Sequence, residues 1–249
     1  MPPPAAPEPV VLITGAARRL GAAMARHFHS QGYRVAIHYR HSRGEAAALA
    51  AELCAARPHS AVALPADLAD LAALTALPAL VQAAFGRLDV LINNASSFFP
   101  TPLGQVDERQ WDALVDSNLK GPFFLSQACL PPLRACGGSI INLIDIHAER
   151  PLRDHTVYCL AKAGLAMMTR ALALEASPEV RVNGIAPGAI LWPESAPQSA
   201  EQAAILARIP QGRCGQPLDI AQTAWFLATQ APYVTGQIIA VDGGRSTAG

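Results

Sequence analysis

Tyr158 and Lys162 stand four residues apart in Tyr158-Cys159-Leu160-Ala161-Lys162, which on a helix puts them one turn apart on a single face. A phenol ordinarily ionises near pH ~10, and a cation within a few ångströms favours the phenolate, drawing that value toward the working range of an acid–base catalyst. Such a pair recurs by chance on many helices, so its company decides. Upstream, the apolar run SIINLID delivers Asp145 at its end. Lys120 and Lys162 are the only lysines among 19 basic residues. An ammonium acts on a neighbour as a compact point charge, which a planar guanidinium does less readily.

The elements that must position these groups alternate between strands and helices. Pro9 to Thr14 reads as a buried strand that runs into GAARRLG and a helical stretch to Ser30. A strand, a glycine turn and a helix start leave unpaired backbone N–H groups where a pyrophosphate can sit. Gly15 and Gly21 are its glycines, with Leu20 just before the second. Arg19 occupies the middle position, where a G-x-x-x-G-x-G loop has glycine. Arg18 reads equally as a solvated helix-start residue or as a cofactor contact.

The second strand, RVAIHYRHS, ends on His38, Arg40, His41 and Ser42, with no acidic residue. In dinucleotide folds an acid here accepts from the ribose 2′-OH and a base accommodates a 2′-phosphate. Charge-assisted hydrogen bonds are worth roughly 1.5–3 kcal/mol each, so these donors predict NADPH over NADH. A helix over Glu45–Ala56 and the strand AVALPADL follow. Asp67, beside Leu68, is placed either to accept from the adenine amino group or to cap the next helix. DVLINNA is apolar until its carboxyl end, as a central parallel strand is, and delivers Asn94 and Ala95 on the ligand edge.

In the next loop, SSFFPTPL, Phe98 and Phe99 read as core anchors or as a flat wall for a planar ligand. A helix over Glu108 to about Ala135 carries Asn118, and the helix of Tyr158 runs to about Ala176. VRVNGIA is a sixth strand ending in Pro187-Gly188. LWPESAPQSAEQ suits a lid, and a helix over Pro217–Thr229 and the strand GQIIAVDGG close the chain. This alternation predicts an α/β fold: one Rossmann-like, doubly wound parallel sheet of about seven strands with helices on both faces. Residues 1–8 read as a flexible leader and 9–249 as one domain.

Charges balance at 19 Lys+Arg and 19 Asp+Glu, which leaves no broad electrostatic footprint for nucleic acid or an anionic membrane. No apolar run approaches the ~18 residues of a membrane span. The start, MPPPAAPEP, has no basic region followed by an apolar core, unlike a signal peptide. The five cysteines form no C-x-x-C pair and read as reduced thiols of a cytoplasmic protein. The seven histidines show no metal-ligand spacing, so no metal is expected.

Thr14-Gly15, Asn93-Asn94-Ala95, Asn118, Tyr158-x-x-x-Lys162 and Pro187-Gly188, in this order and spacing, resemble the short-chain dehydrogenase/reductase family from Val10 to about Gly244. TGAARRLG, HYRHS, NNASSFFPTPL and an Asp at the catalytic Ser position resemble the pteridine reductases within it. LWPE at 191–194 resembles their bacterial members. The resemblance implies reduction of a C=N bond of a dihydropterin, with dihydrofolate a further candidate. It assigns Phe98 to stacking on the pterin. Arg19 and Ser96 would contact pterin and cofactor phosphate, and Lys162 would hold the nicotinamide ribose and lower the Tyr158 pKa. Asp145 and Tyr158 would supply the proton and Asn118 would complete its relay. The family also implies a homotetramer joined through the helices of Asn118 and Tyr158. Arg245, in the tail RSTAG, reads as solvated surface. The rival readings are a carbonyl reductase, such as one acting on 3-oxoacyl thioesters, and a non-catalytic NADP(H)-binding protein.

Overall fold

Alternate side chains of the first strand face opposite ways, and both ways lead into a core. In a computed structural model that describes residues 8–191 and 200–248, Val10 and Leu12 of β1 (Val10–Ile13) join one buried cluster, while Val11 and Ile13 join another. A strand buried on both faces must be apolar throughout, which is the pattern of a sheet covered by helices above and below. Seven parallel strands form that sheet in the order β3-β2-β1-β4-β5-β6-β7. They are β1, β2 (Arg34–Tyr39), β3 (Ala61–Pro65), β4 (Val90–Asn93), β5 (Ser139–Leu143), β6 (Arg181–Pro187) and β7 (Ile238–Val241). The expected doubly wound architecture is therefore the one observed.

One face is covered by α1 (Arg19–Ser30), α2 (Arg43–Ala56) and α8 (Pro217–Trp225), whose Phe28, Leu49 and Ile220 enter the cluster of Val11. The other is covered by α3 (Leu71–Phe85), α5 (Gly121–Cys136) and α6 (Thr156–Ala176), through Leu77, Leu125 and Leu165. The long helix expected over Glu108–Ala135 consists of α4 (Glu108–Val115), a π-helical turn at Asp116–Lys120 and α5. The last helix likewise ends in a π turn at Phe226–Gln230. There Arg181 donates to the carbonyls of Leu227, Ala228 and Ala231, filling acceptors that a helix end leaves open. A short helix, α7 (Ala200–Leu206), precedes α8.

The strand order reverses between β1 and β4, so their carboxyl ends open a crevice at the switch point. Behind it lies a buried polar chain. The Asn93 amide donates to Ser126 Oγ of α5 and to Asn142 Oδ1 of β5, at 3.0 and 2.8 Å. The Asn142 amide donates to Thr169 Oγ1 of α6 at 2.9 Å.

Several sequence expectations change here. Glu8 belongs to the ordered chain, since its carboxylate pairs with Arg34 and Arg57; residues 1–7 lie outside the described residues. So do 192–199 of the segment expected to form a lid, with most of the LWPE pattern. Asp67 does not cap α3: its side chain accepts from Ala69 N–H, and Asp70 caps the helix through Ala72 and Ala73. Helix α6 is long and apolar enough to cross a membrane, with a hydropathy of 1.3. It passes that test as a core helix does, because Leu165, Thr169, Leu172 and Ala176 on one face are buried in the protein.

Candidate active site

The glycine loop is held from the β4 side by a clamp. Thr14 Oγ1 accepts from the N–H groups of Asn94 and Ala95 at 2.9 and 3.0 Å, and the Asn94 amide donates to the carbonyls of Thr14 and Gly15. Gly15 adopts φ +60°, and a Cβ there would sit 3.0 Å from Ala95 Cα, so this turn admits only glycine without strain. Arg19 takes φ +53°, a left-handed conformation costing a residue with a Cβ about 1–2 kcal/mol. Its guanidinium reaches Leu191 O at 3.4 Å, spanning the mouth of the crevice.

The N-terminus of α1 has no side-chain cap and no acidic residue in its first turn, which leaves its N–H groups for an anion. Arg18, Arg19, Arg40, His41 and Ser42 line the adjoining cavity of about 400 Å³. A second cavity of about 170 Å³ runs past Asp67, Leu68, Ala95 and Ser117. Together they suit the phosphates and the adenine end of a dinucleotide. Arg40 leans toward Asp67 at 3.4 Å and donates to His41 Nε2 at 2.6 Å. On the far side, Pro187 ends β6 and the Gly188 N–H donates to Val241 O. A Cβ on Gly188 would lie 2.6 Å from Asp242 Cβ.

His38 borders the smaller cavity beside Gly15 and Arg40, but not as the phosphate donor that the sequence expectation made it. The ring is 1% exposed, Nδ1 is 3.1 Å from Gly15 N and Nε2 is 3.0 Å from Ala66 O. Both nitrogens are engaged by backbone. Burial pulls its pKa from 6.5 to about 4, so the ring carries no charge with which to hold a phosphate.

The reacting groups converge beyond the clamp. Tyr158 Oη donates to Asp145 Oδ2 at 2.8 Å, and Asp145 Oδ1 accepts from His147 N–H at 2.9 Å. Asp145 thus both caps the short turn Ile146–Ala148 and holds the phenol, one oxygen to each. Lys162, 2% exposed, donates from Nζ to Leu143 O at 2.8 Å and lies 5.7 Å from the centre of the Tyr158 ring.

This arrangement corrects the expectation that Lys162 lowers the Tyr158 pKa. Burial, then the Asp145 carboxylate, pushes the phenol well above its usual range. A carboxylate accepting from the hydroxyl favours the protonated form. Burial also lowers Lys162 to about 8, partly opposed by Asp145. Tyr158 is therefore a phenol that keeps its proton, which it donates to Asp145.

Asn118 is fully buried in the π turn, where extra backbone is characteristic of functional positions. Its Oδ1 accepts from Ser96 Oγ at 2.6 Å, and its amide donates to Ser97 O and Leu114 O. It ties the loop of Ser96 to the helix. Phe98 and Phe99 divide the two readings between them. Phe99 packs with Leu114, Val157 and Tyr158, while Phe98, 55% exposed, forms a wall. Its ring stacks on His155 at 4.6 Å and 14° and meets Tyr158 edge-on at 4.8 Å.

Phe98, Asp145, His155, Tyr158, Leu191 and Arg245 line a cavity of about 770 Å³. The sequence reading missed His155, which stands three residues before Tyr158 at the N-cap of α6. It also left Arg245 at the surface, whereas the turn closed by Asp242, which accepts from Gly244 and Ser246 N–H, brings it to this cavity.

A family model described as enoyl-(acyl carrier protein) reductase matches residues 15–246. The chain belongs to the short-chain dehydrogenase/reductase family. Among its relatives, pteridine reductase 1 of Leishmania tarentolae is 37% identical over 279 aligned positions, covering 96% of each chain. The 3-oxoacyl-[acyl-carrier-protein] reductase FabG of Staphylococcus aureus is 38% identical over 237 residues, 94% of this chain and 96% of that one. A 3beta-hydroxysteroid dehydrogenase 1 of Eggerthella lenta is 36% identical over 243 residues, 95% and 93% respectively. Members of this short-chain dehydrogenase/reductase family are oxidoreductases that use NAD(P)H, and the cavities along Gly15 and Arg40 fit such a cofactor.

Proposed function

We propose that this enzyme is an NADPH-dependent pteridine reductase that reduces a C=N bond of a dihydropterin to give the tetrahydropterin, with dihydrofolate a further substrate. The observation that carries the reading is the Asp145 carboxylate 2.8 Å from Tyr158 Oη. A carbonyl oxygen needs a donor, and an ionised carboxylate is acceptor-only. A pterin offers N–H groups for it to hold and a ring nitrogen to be protonated. The exposed face of Phe98 supports a flat, aromatic substrate.

When bound, NADPH supplies the hydride. Arg18, Arg40, His41 and Ser42 would hold its phosphates and Asp67 its adenine end, while Lys162 would bind the ribose beside the nicotinamide. Tyr158 gives its proton toward the ring nitrogen as the neighbouring carbon gains the hydride, and Asp145 orients the phenol and holds a ring N–H. Asn118 fixes Ser96 at the cavity edge. The exposed Phe123 of α5 and Leu160, Met167 and Leu174 of α6 support a homotetramer joined through these helices. Five free thiols suit the cytoplasm.

Relatives named 3-oxoacyl-[acyl-carrier-protein] reductase at comparable identity favour a second reading, reduction of a 3-oxoacyl thioester. NADPH oxidation by the purified protein with 7,8-dihydrobiopterin, dihydrofolate and an acetoacetyl thioester separates the two. The pterin is expected to turn over, with Asp145→Ser lowering its rate at least a hundredfold. Turnover of the thioester alone would overturn the proposal.

A further inference from the structure

His38 closes a bond on each side of its own strand. From β2 its ring reaches the loop after β1 at Gly15 and the loop after β3 at Ala66. A backbone N–H only donates and a carbonyl only accepts. Nδ1 must therefore be the bare nitrogen and Nε2 the protonated one, a neutral imidazole fixed in one tautomer by its partners. The two bonds, at 3.1 and 3.0 Å, make the ring a strut between loops.

The strut acts on the part of the molecule that most needs fixing. Thr14 and Asn94 hold the glycine loop from the β4 side. From the β2 side, the hold consists of the imidazole on Gly15 N–H and the His38 carbonyl, which accepts from Ala16 N–H at 2.9 Å. Gly15 at φ +60° is a conformation that a glycine leaves easily.

We propose that His38 is a positioning residue that presets the dinucleotide loop through Gly15 and gives no hydrogen bond to the cofactor, both ring nitrogens being taken by backbone. The inference rests on the family-level reading that a dinucleotide lies on this loop, and on no choice of substrate. The carboxylate facing the ring is that of Asp67, beyond Ala66, itself paired with Arg40; Arg18 and Arg19 on the glycine loop are exposed. Burial outweighs Asp67 and keeps the imidazole neutral down to about pH 4, so the strut persists across the physiological range.

The test compares wild type with His38→Phe, which removes both bonds, His38→Asn, which reaches one partner at most, and His38→Gln, which can both accept and donate. Dissociation constants for NADPH and for NADH are measured by calorimetry, and hydrogen exchange is followed in the peptide spanning Thr14–Gly21. A lost hydrogen bond predicts binding roughly tenfold weaker for His38→Phe, by the same factor for both cofactors, with Gly15 exchange faster by a similar factor. His38→Gln is expected to recover most of both, and the loss should fall on KM for NADPH rather than on kcat.

A loss confined to NADPH would mean direct contact with the 2′-phosphate and would overturn the proposal. Unchanged binding and exchange in His38→Phe would overturn it as well. If His38→Phe does not fold, the ratio of the two losses in His38→Asn decides in the same way. Absence of dinucleotide binding by wild type would instead defeat the cofactor reading, recognisable because Gly15 exchange in the variants still reports the strut.

Discussion

Replacing Asp145 with asparagine should pull the buried Lys162 ammonium further down. Burial places its pKa at about 8, and the Asp145 carboxylate is the charge that opposes the fall. Asp145 is hydrogen-bonded to Tyr158, whose ring centre lies 5.7 Å from Nζ. Taking the two charges about 6–8 Å apart and an effective dielectric near ~20, their attraction is about 2–3 kcal/mol, or about 1.5–2 pH units. Lys162 in Asp145→Asn is then expected to titrate between about 6 and 7 and to be mostly neutral at pH 7.5.

The chain's composition makes the assay direct. Lysine labelled at Cε and Nζ gives two sets of NMR signals, from Lys120 and Lys162, and Lys120→Arg assigns them. A wild-type Lys162 midpoint above 10 would refute the claim that burial governs the ammonium. The same midpoint in Asp145→Asn, in a protein with an unchanged spectrum elsewhere, would refute the coupling.

Lys162→Met should abolish turnover yet raise stability by about 1–2 kcal/mol in urea unfolding at pH 7. The unfolded chain binds the lysine proton more tightly between pH 8 and 10.5, so the charge costs about 3 kcal/mol at neutrality, offset in part by the Leu143 carbonyl left unpaired. His38 has a folded pKa of about 4 against 6.5 unfolded. It contributes stability that is fully present above pH 6.5 and falls by about 3 kcal/mol as pH drops to 4; wild type should lose more stability over this window than His38→Gln does. Arg181→Met takes the side-chain donor from the Leu227 and Ala228 carbonyls, while Ala231 O keeps the Val234 N–H, and is expected to cost about 2–4 kcal/mol, read as a fall in the urea midpoint.

Periodicity and punctuation made most of the architecture legible. Strands buried on both faces announced themselves as VVLI and VLIN, and the end of α6 fell at Ala176 as read. What stayed hidden depended on which way a side chain turns and how dry its surroundings are. His38 belongs to a run of donors in sequence, yet it points inward while Arg40 and His41 point out. The influence of Lys162 on Tyr158 was inferred from spacing alone, and spacing says nothing of the burial that dominates both groups. Asp67 and Asp70 are equally good caps on paper; the chain's path gives the cap to Asp70. Phe98 and Phe99 are adjacent, and a loop must turn one in and one out. Arg245 could be placed only through the long-range packing of a tail.

Thr169 stands seven and eleven residues beyond Lys162 and Tyr158, on the same face of α6, and its hydroxyl receives the Asn142 amide from the sheet. This bond indexes the helix. A slip by one turn, about 5.4 Å, would strand the buried Asn142 amide at about 1–3 kcal/mol, while the Thr169 hydroxyl would keep its own-helix bond to Leu165 O. Phenol and ammonium are therefore set along the strand direction by a detent two to three turns away. The loops that shape the cavity can diverge in sequence while the acid stays in register with the carboxyl end of the sheet.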